Sequence, residues 1–396
     1  MLTPALAQEI AGSTSDIIGF NVLITDRDGT VIGSGDRNRV GSFHEASVEV
    51  MHTLLPATHS AAEARSLRGV RPGITLPIVL AGTALGTVGI TGSPGQVRRF
   101  GLVVKRQTEI LLQESLLQRS RLLRERALED LVRDIAYLDP EVDEPDLIAY
   151  RAGELGYDLA VPRVAVVIEL AGSAGQDGAG ARLELLQTIR ITFAPAHDIV
   201  AAMSSERFVA LHRMLSTGNP DQLRQMCRAT VENIARRNAR SAAVGIGDPG
   251  TTVVELHDSC HDANVALRLG AQLGAQLAGR LAGRGDPAPR IDAIDSLRIH
   301  QLLAAVGQRP RTRLVQALAA DLRSQSDWPV LRQTLIAWCE SGFNLVRASA
   351  ALHIHRNTLV YRLHKIAQLT GVPARDYRTT LALYLACLTD QIHDTG

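Results

Sequence analysis

Apolar positions along this chain follow two periods, and the change from one to the other marks its segments. The run FNVLITDRDGTVIGSG, Phe20 to Gly35, holds two β-rich stretches hinged at Asp28-Gly29. TLPIVLAGTALGTVGITG, Thr75 to Gly92, repeats the arrangement around Ala81-Gly82. Each predicts a hairpin with one buried face. Between them GDRNRVGSFHEAS leaves the sheet through a polar, basic loop and predicts a helix starting near Ser42. From Val97 to Tyr137 the period becomes helical, without proline and without glycine after Gly101. Ile110, Leu112, Leu116, Leu117, Leu123, Leu128, Leu131 and Ile135 form its apolar stripe, the pattern of a helix packed on a partner helix and expected to be a dimer stalk. Asp139-Pro140 ends it.

Beyond the stalk and a short helical stretch, VPRVAVVIEL predicts a buried strand and AGSAGQDGAGA a loop. LLQTIRITF, HDIVAAMSSERFVALHRM, a helix from Asp221 to Arg237 and SAAVGIG then alternate helices and strands, as an α/β domain does. Arg290 to Ser324 predicts connecting helices. The last sixty residues carry the punctuation of a helix-turn-helix. Asp327 is placed to cap a first helix with Leu331, Leu335, Ile336 and Trp338 at helical spacing, and Gly342 to end it. A second helix opens at Asn344 with Leu345, Ala348 and Leu352 on one face. A tight turn at His353 to His355 leads into a third, where Leu359, Leu363 and Ile366 point inward.

Chemistry sharpens this outline. Between Asn344 and Gln368 there is no Asp or Glu, while Arg347, Arg356, Arg362 and Lys365 are basic. With Asn357, Thr358 and Tyr361 they form a candidate DNA-reading face, since Arg and Asn near the start of a recognition helix make bidentate contacts to bases. The formal net charge is only +1, so any contact with double-stranded DNA must be local. Only Lys105 and Lys365 are lysine among the 42 basic residues, a skew that fits codon bias rather than a mechanism. The four cysteines are too scattered for a zinc motif or a disulfide scaffold, and fit free thiols in a cytoplasmic protein. No signal peptide or membrane-spanning apolar run is present. Asp26 and Asp28 open like a calcium loop, but the run lacks a third early ligand and a closing Glu, so it reads as a turn with no metal. The Gly-rich run near residue 175 is not followed by Gly-Lys-Ser/Thr, which excludes a phosphate loop.

HIHRNTLVYRLHKIAQLTG, His353 to Gly371, and RTTLALYLACL after it closely resemble the C-terminal helix-turn-helix of the PucR and carbohydrate diacid regulator families. His353 stands where a turn glycine is common. IGSGDRNRVGSFHEAS and GVRPGITLPI followed by GTVGITG resemble the sugar-diacid recognition domain of the same regulators. VGIG with a helix ending in VALRLG resembles their degenerate GGDEF-like middle domain, in which MSSERF replaces the catalytic turn of a diguanylate cyclase.

The resemblance implies a multi-domain α/β plus all-α chain. It would comprise a PAS-like α/β sensor over 1–117, a helical stalk over 97–137, a degenerate GGDEF-like domain over 138–289, a helical connector over 290–325 and a helix-turn-helix over 326–396. The implied effector is a small hydroxy-carboxylate such as glycerate, glucarate or galactarate. Fixed cations, hydroxyls and glycine backbone would hold it: Ser34, Asp36, Arg39, Gly41, His44, Arg71, Gly73, Ile74 and Thr75. Thr75 stands where the family usually has Asn. The expected function is a homo-oligomeric transcriptional regulator without a cofactor, by resemblance an activator. Its rivals are the same architecture sensing a different small carboxylate, a nucleotide cyclase or phosphodiesterase working through the middle domain, and a C-terminal protein-interaction module.

Overall fold

In the computed structural model two hairpins and a helix that crosses them build the N-terminal unit, Met1–Glu125; the second unit is Arg126–Gly396. The structure describes residues 2–171, 179–194, 197–214, 220–278, 290–371, 373 and 376–393. Most of the glycine-rich loop expected at 171–181 therefore lies outside the described residues.

Helix α1 (Pro4–Ile18) begins with Thr3 accepting from the Leu6 amide and Pro4 in the first turn, and stops at Gly19 in the left-handed conformation. The apolar pattern had not singled it out. Strands β1 (Val22–Thr25) and β2 (Val31–Ser34) pair antiparallel, as do β4 (Gly73–Leu80) and β5 (Thr83–Thr91), with a short β3 (Ala57–His59) at the edge. The sheet order is β2-β1-β5-β4-β3. Asp26 closes the first hairpin by accepting from the amides of Asp28 and Thr30, the work of a turn residue. Ala81 and Gly82 both have positive φ, the requirement of a two-residue hairpin turn.

The loop after β2 makes a 3-10 turn (Arg37–Arg39) before α2 (Glu45–Thr53), which starts three residues later than Ser42, and the single-turn helix α3 (Ala61–Ala64) follows β3. Strand alternation sends Ile74, Leu76, Ile78, Val88 and Ile90 to the face covered by α1 and by Val97, Val104 and Leu112. The other face carries Thr25, Thr75 and Thr87, all buried, and receives α2.

Helix α4 (Pro94–Ala136) is the expected long helix, but its stripe is not uniform. Leu112 is in the N-terminal core, and Leu128, Leu131 and Ile135 are in a core of the second unit. Leu116, Leu117, Leu122 and Leu123 between them are substantially exposed.

The second unit opens with α5 (Pro145–Glu154) and a sheet of β6 (Arg163–Leu170), β7 (Ile199–Ala202), β8 (Arg207–Arg213) and β9 (Ala242–Gly250). Helices α6 (Ala179–Thr192) and α7 (Pro220–Asn238) cover one face, and α5, the end of α4 and α8 (Val253–Ala278) the other. A fifth strand, β10 (Arg290–Ala293), runs parallel to β9 and completes the order β10-β9-β6-β8-β7. The sequence reading placed those residues in the helical connector.

Helices α9 (Ile294–Ala305) and α10 (Gln308–Arg323) lead to α11 (Trp328–Glu340), α12 (Leu345–Ala351), α13 (Arg356–Thr370) and α14 (Tyr377–His393). One core gathers α10, α11, the end of α13 and α14; Trp338, Ala348, Leu359 and Leu363 form a second. The first core contains a buried charge. The Asp390 carboxylate accepts from Trp328 Nε1 at 2.8 Å and Arg332 Nη1 at 2.6 Å, and its other oxygen lies 3.3 Å from Arg323 Nε. Among the described residues no helix is long and apolar enough to cross a membrane.

Removing one partner of a buried ion pair strands the other without compensation. Asp390→Ala is expected to lower stability by about 3 to 5 kcal/mol, read as a fall in the urea midpoint of the transition that reports Trp328 and Trp338 fluorescence. A midpoint within error of wild type would show that the network contributes nothing net.

Candidate effector pocket and nucleic-acid interface

The first candidate site forms where the loop after β2 meets the loop before β4, both on the polar side of the N-terminal sheet. Arg39 is 6% exposed, and its Nη2 donates to the carbonyl of Gly69. Its Nη1 is buried with no hydrogen-bond partner. Desolvation lowers the guanidinium pKa, the nearby Arg71 adds to the fall, and Asp36 opposes it. Gly69 has φ +72°, and a Cβ there would sit 1.8 Å from the carbonyl oxygen of Phe43, so only glycine lets the loops come together.

His44, 3% exposed, begins a buried relay. Its Nδ1 is 2.7 Å from Ser47 Oγ, which is 2.7 Å from Thr87 Oγ1, itself 2.9 Å from Thr25 Oγ1. Burial, reinforced by Arg39 and His59, pushes its pKa down to about 4. His44 is thus neutral near pH 7, a hydroxyl partner rather than a counter-ion. It sits at the α2 N-cap position without a capping side-chain bond.

Asp36 caps the 3-10 turn and pairs with Arg71 at 3.2 Å; Arg71 is half-exposed and so stands at the rim. Ser34 is fully buried, its backbone paired both ways with the side-chain amide of Gln8. Gly41 (φ +83°) returns its amide to the Val31 carbonyl. Gly73 and Thr75 lie on β4 on the site's face, and Thr75 is buried. Ile74 points to the opposite face and into the core, which leaves only its backbone for a site on this side.

Sequence reasoning passed over Gln8, Asn21, Ser47, Gly69 and Thr87. Asn21 Oδ1 accepts from the Asp36 amide at 2.6 Å and the Ser34 hydroxyl at 3.3 Å, while its Nδ2 is buried without a partner. A polar residue directly before a buried strand was the available signal for Asn21; Gln8 offered none, because its helix was not foreseen.

The second candidate site is the face of α12 and α13. Asn344 caps α12 through its side chain, and His355 caps α13 by accepting from the Asn357 amide. His353 adopts φ +51° in the turn between them, the conformation for which a glycine is common. Arg347, Arg356, Asn357, Thr358 and Tyr361 are exposed, Tyr361 by 69%. Arg362 and Lys365 turn back toward α11. Arg362 Nη1 reaches Thr334 Oγ1 at 3.5 Å, and Lys365 Nζ lies 2.8 and 2.9 Å from the Asp327 carboxylate oxygens. That pairing holds the Asp327 carboxyl below its usual range. Asp327, expected to cap α11 with its side chain, stands at the N-cap position but makes no capping bond.

In the middle sheet Met203 to Glu206 turn between β7 and β8. Ser204 Oγ accepts from the amides of Glu206 and Arg207, and Arg207 pairs with Glu169 at 2.5 Å. The described residues hold no group of three or more His, Cys, Asp or Glu able to bind a metal ion.

Three family models match the chain: sugar diacid recognition over residues 2–135, a GGDEF-like domain over 139–269 and the PucR C-terminal helix-turn-helix domain over 331–389. The carbohydrate diacid regulator of Escherichia coli (strain K12) is 31% identical over 395 residues, 98% of both chains. YsfB of Bacillus subtilis (strain 168) is 24% identical over 387 residues, 97% of each, and a Haemophilus influenzae protein is 25% identical over 390 residues, 97% of this chain and 98% of the other. A solved regulator of polyketide synthase expression from Bifidobacterium adolescentis aligns over 68% of this chain and 99% of its own, at 16% identity and a TM-score of 0.29, too low to bear on the fold. With a GGDEF-like middle domain, a helix-turn-helix at its end and an end-to-end match to that Escherichia coli protein, this chain belongs to the carbohydrate diacid regulator family.

Proposed function

We propose that the chain is an effector-responsive transcriptional activator of genes for carbohydrate-diacid or glycerate metabolism, acting as a homodimer on double-stranded DNA. The observation that carries the reading is the buried, unpartnered Nη1 of Arg39, set beside Arg71 and a neutral His44 in a chain that ends in an exposed DNA-reading face. A polyhydroxy carboxylate offers what this site lacks, a charged acceptor for the Nη1 of Arg39, and brings hydroxyls within the chemistry of His44 and Thr75. Glycerate, glucarate and galactarate share that chemistry, and the matched relative is named for carbohydrate diacids. The strand order β2-β1-β5-β4-β3 supports a PAS-like sensor over residues 1–117. The exposed leucines of α4 support a dimer stalk within 97–137. The GGDEF-like domain then spans 138–289, extended by β10, with the connector to 325 and the helix-turn-helix from 326. Effector binding shifts the population of two stalk packings and thereby the spacing of the paired reading helices.

A cyclase reading has less support. The hairpin at 203–206 offers Glu206 but no glycine backbone to cradle a phosphate.

Charge-assisted hydrogen bonds contribute about 1.5 to 3 kcal/mol. Arg39→Ala is therefore expected to weaken glycerate or galactarate binding at least about ten-fold, and Arg71→Ala, at the rim, by less. Calorimetry on the full chain reads both, and an Arg39→Ala protein binding as tightly as wild type would place the pocket elsewhere.

His44 makes stability depend on pH. Its folded pKa of about 4 lies below the ordinary 6.5, so the unfolded chain binds the extra proton. Stability is full above pH 6.5 and falls as pH drops toward 4, by about 2 kcal/mol at pH 5. Denaturant midpoints of wild type and His44→Gln between pH 5 and 7.5 test this; parallel curves would remove His44 as the cause.

On DNA, Arg356→Ala is expected to cost about 1 to 3 kcal/mol at a genomic operator fragment. Lys365→Ala should cost less, because Asp327 already neutralises that charge. Gel-shift titrations at several salt concentrations separate base from phosphate contacts, and operator binding unchanged in Arg356→Ala would dismiss α13 as the reader.

A further inference from the structure

The second unit contains a cleft with a chemistry of its own, built from other residues than the reading face. It encloses about 510 Å³ where α8 of the middle sheet meets α9, α10 and the end of α14. That is the size range of small-molecule pockets. Val265, Leu269, Ala304 and Ile392 line it with apolar surface, and no Asp or Glu contributes to its walls.

Two arginines enter it from different helices. Arg268 on α8 is exposed and makes no ion pair among the described residues. Arg311 on α10 is half-buried, and its Nε is shut away from solvent without a hydrogen-bond partner. The acid next to the cleft, Asp262, is already matched, by Arg298 at 3.0 Å and by the Gln301 amide at 2.7 Å. Gln301 is in turn occupied by Arg298 at 2.8 Å, which leaves Gln272 as the lining amide without a partner among the described residues. Two guanidinium groups and an amide above an apolar floor, with no counter-charge among the described residues that line it, are complementary to an oxyanion carried on an apolar body.

We propose that this cleft is a second ligand site, taking a small organic anion whose carboxylate or phosphate group is held by Arg268 and Arg311. The position gives binding a consequence. α8 packs on the middle sheet, whereas α10 and α14 belong to the core that supports α11 and α13. A ligand held by α8 and α10 together favours one placement of the DNA-binding helices on the middle domain, and so couples its own binding to that of DNA.

The test uses the full chain with benzoate and phenyl phosphate, which present the two headgroups on one apolar body. Calorimetry compares wild type with Arg268→Glu, Arg311→Gln and Arg39→Ala. The expected result is that at least one probe binds wild type and Arg39→Ala alike, with Kd raised at least ten-fold in Arg268→Glu and Arg311→Gln. Whichever probe binds tighter identifies a carboxylate or a phosphate ligand. Arg268 is exposed, so its variant carries the test even if Arg311→Gln unfolds. No binding of either probe at millimolar concentration, binding unaffected by Arg268→Glu, or binding lost with Arg39→Ala would each overturn the proposal; the last outcome would assign the anion to the sensor pocket instead.

Discussion

A guanidinium taken out of water is the constraint around which the N-terminal site is arranged. Burial of Arg39 is costly for a charge, and the fold offsets only part of that cost, through the Gly69 carbonyl and the field of Asp36. The carbonyl is reachable because Gly69 adopts a conformation that a side chain would block against Phe43. Two loops far apart in sequence are thereby joined at one point. One donor, Nη1, remains buried without a partner beside the polar side of the sheet.

That surface exists because the sheet divides its residues by parity. Even positions of β4 feed the core under α1 and α4, and odd positions carry Thr75 toward α2. Across from it the hydroxyls of Ser47, Thr87 and Thr25 continue from His44 into the middle of the sheet. A chain of buried hydroxyls has few alternative arrangements, so the position of His44 is tied to β1 and β5. Helix α4 leaves the same unit with Leu112 in its core and reaches the second unit with Leu128. The exposed leucines between those points are the apolar surface the sensor does not use.

In the second unit the closing helix α14 has an equivalent role. Its Asp390 ties Trp328 and Arg332 of the first helix of the reading module, and its apolar side packs on α10 and α11. The reading helix itself spends its inward side chains on Leu359, Leu363 and Ile366, and part of its basic face on Thr334 and Asp327. What projects freely is the first turn, Arg356 to Thr358, with Tyr361 one turn later.

Local pattern was enough to read the hairpins, the long helix and the three helices of the reading module. In each, period and punctuation act over a few residues: Ala81-Gly82 at positive φ, Asn344 at a cap, Leu359, Leu363 and Ile366 on one face. Helix α1 escaped because its short apolar stripe of Ala7, Ile10 and Ala11 is weak until a sheet lies under it. β10 escaped because four residues acquire a strand identity only by pairing with β9. The basic residues of α13 could be named from sequence, yet which are free depends on Asp327 and Thr334, 38 and 28 residues earlier. Likewise the residue types of the loops around Arg39 and Arg71 could be named as candidates from sequence, whereas the burial of Arg39, the neutrality of His44 and the inward turn of Ile74 are effects of neighbours distant in sequence. Desolvation and partner geometry belong to the folded chain, and no short window of sequence contains them.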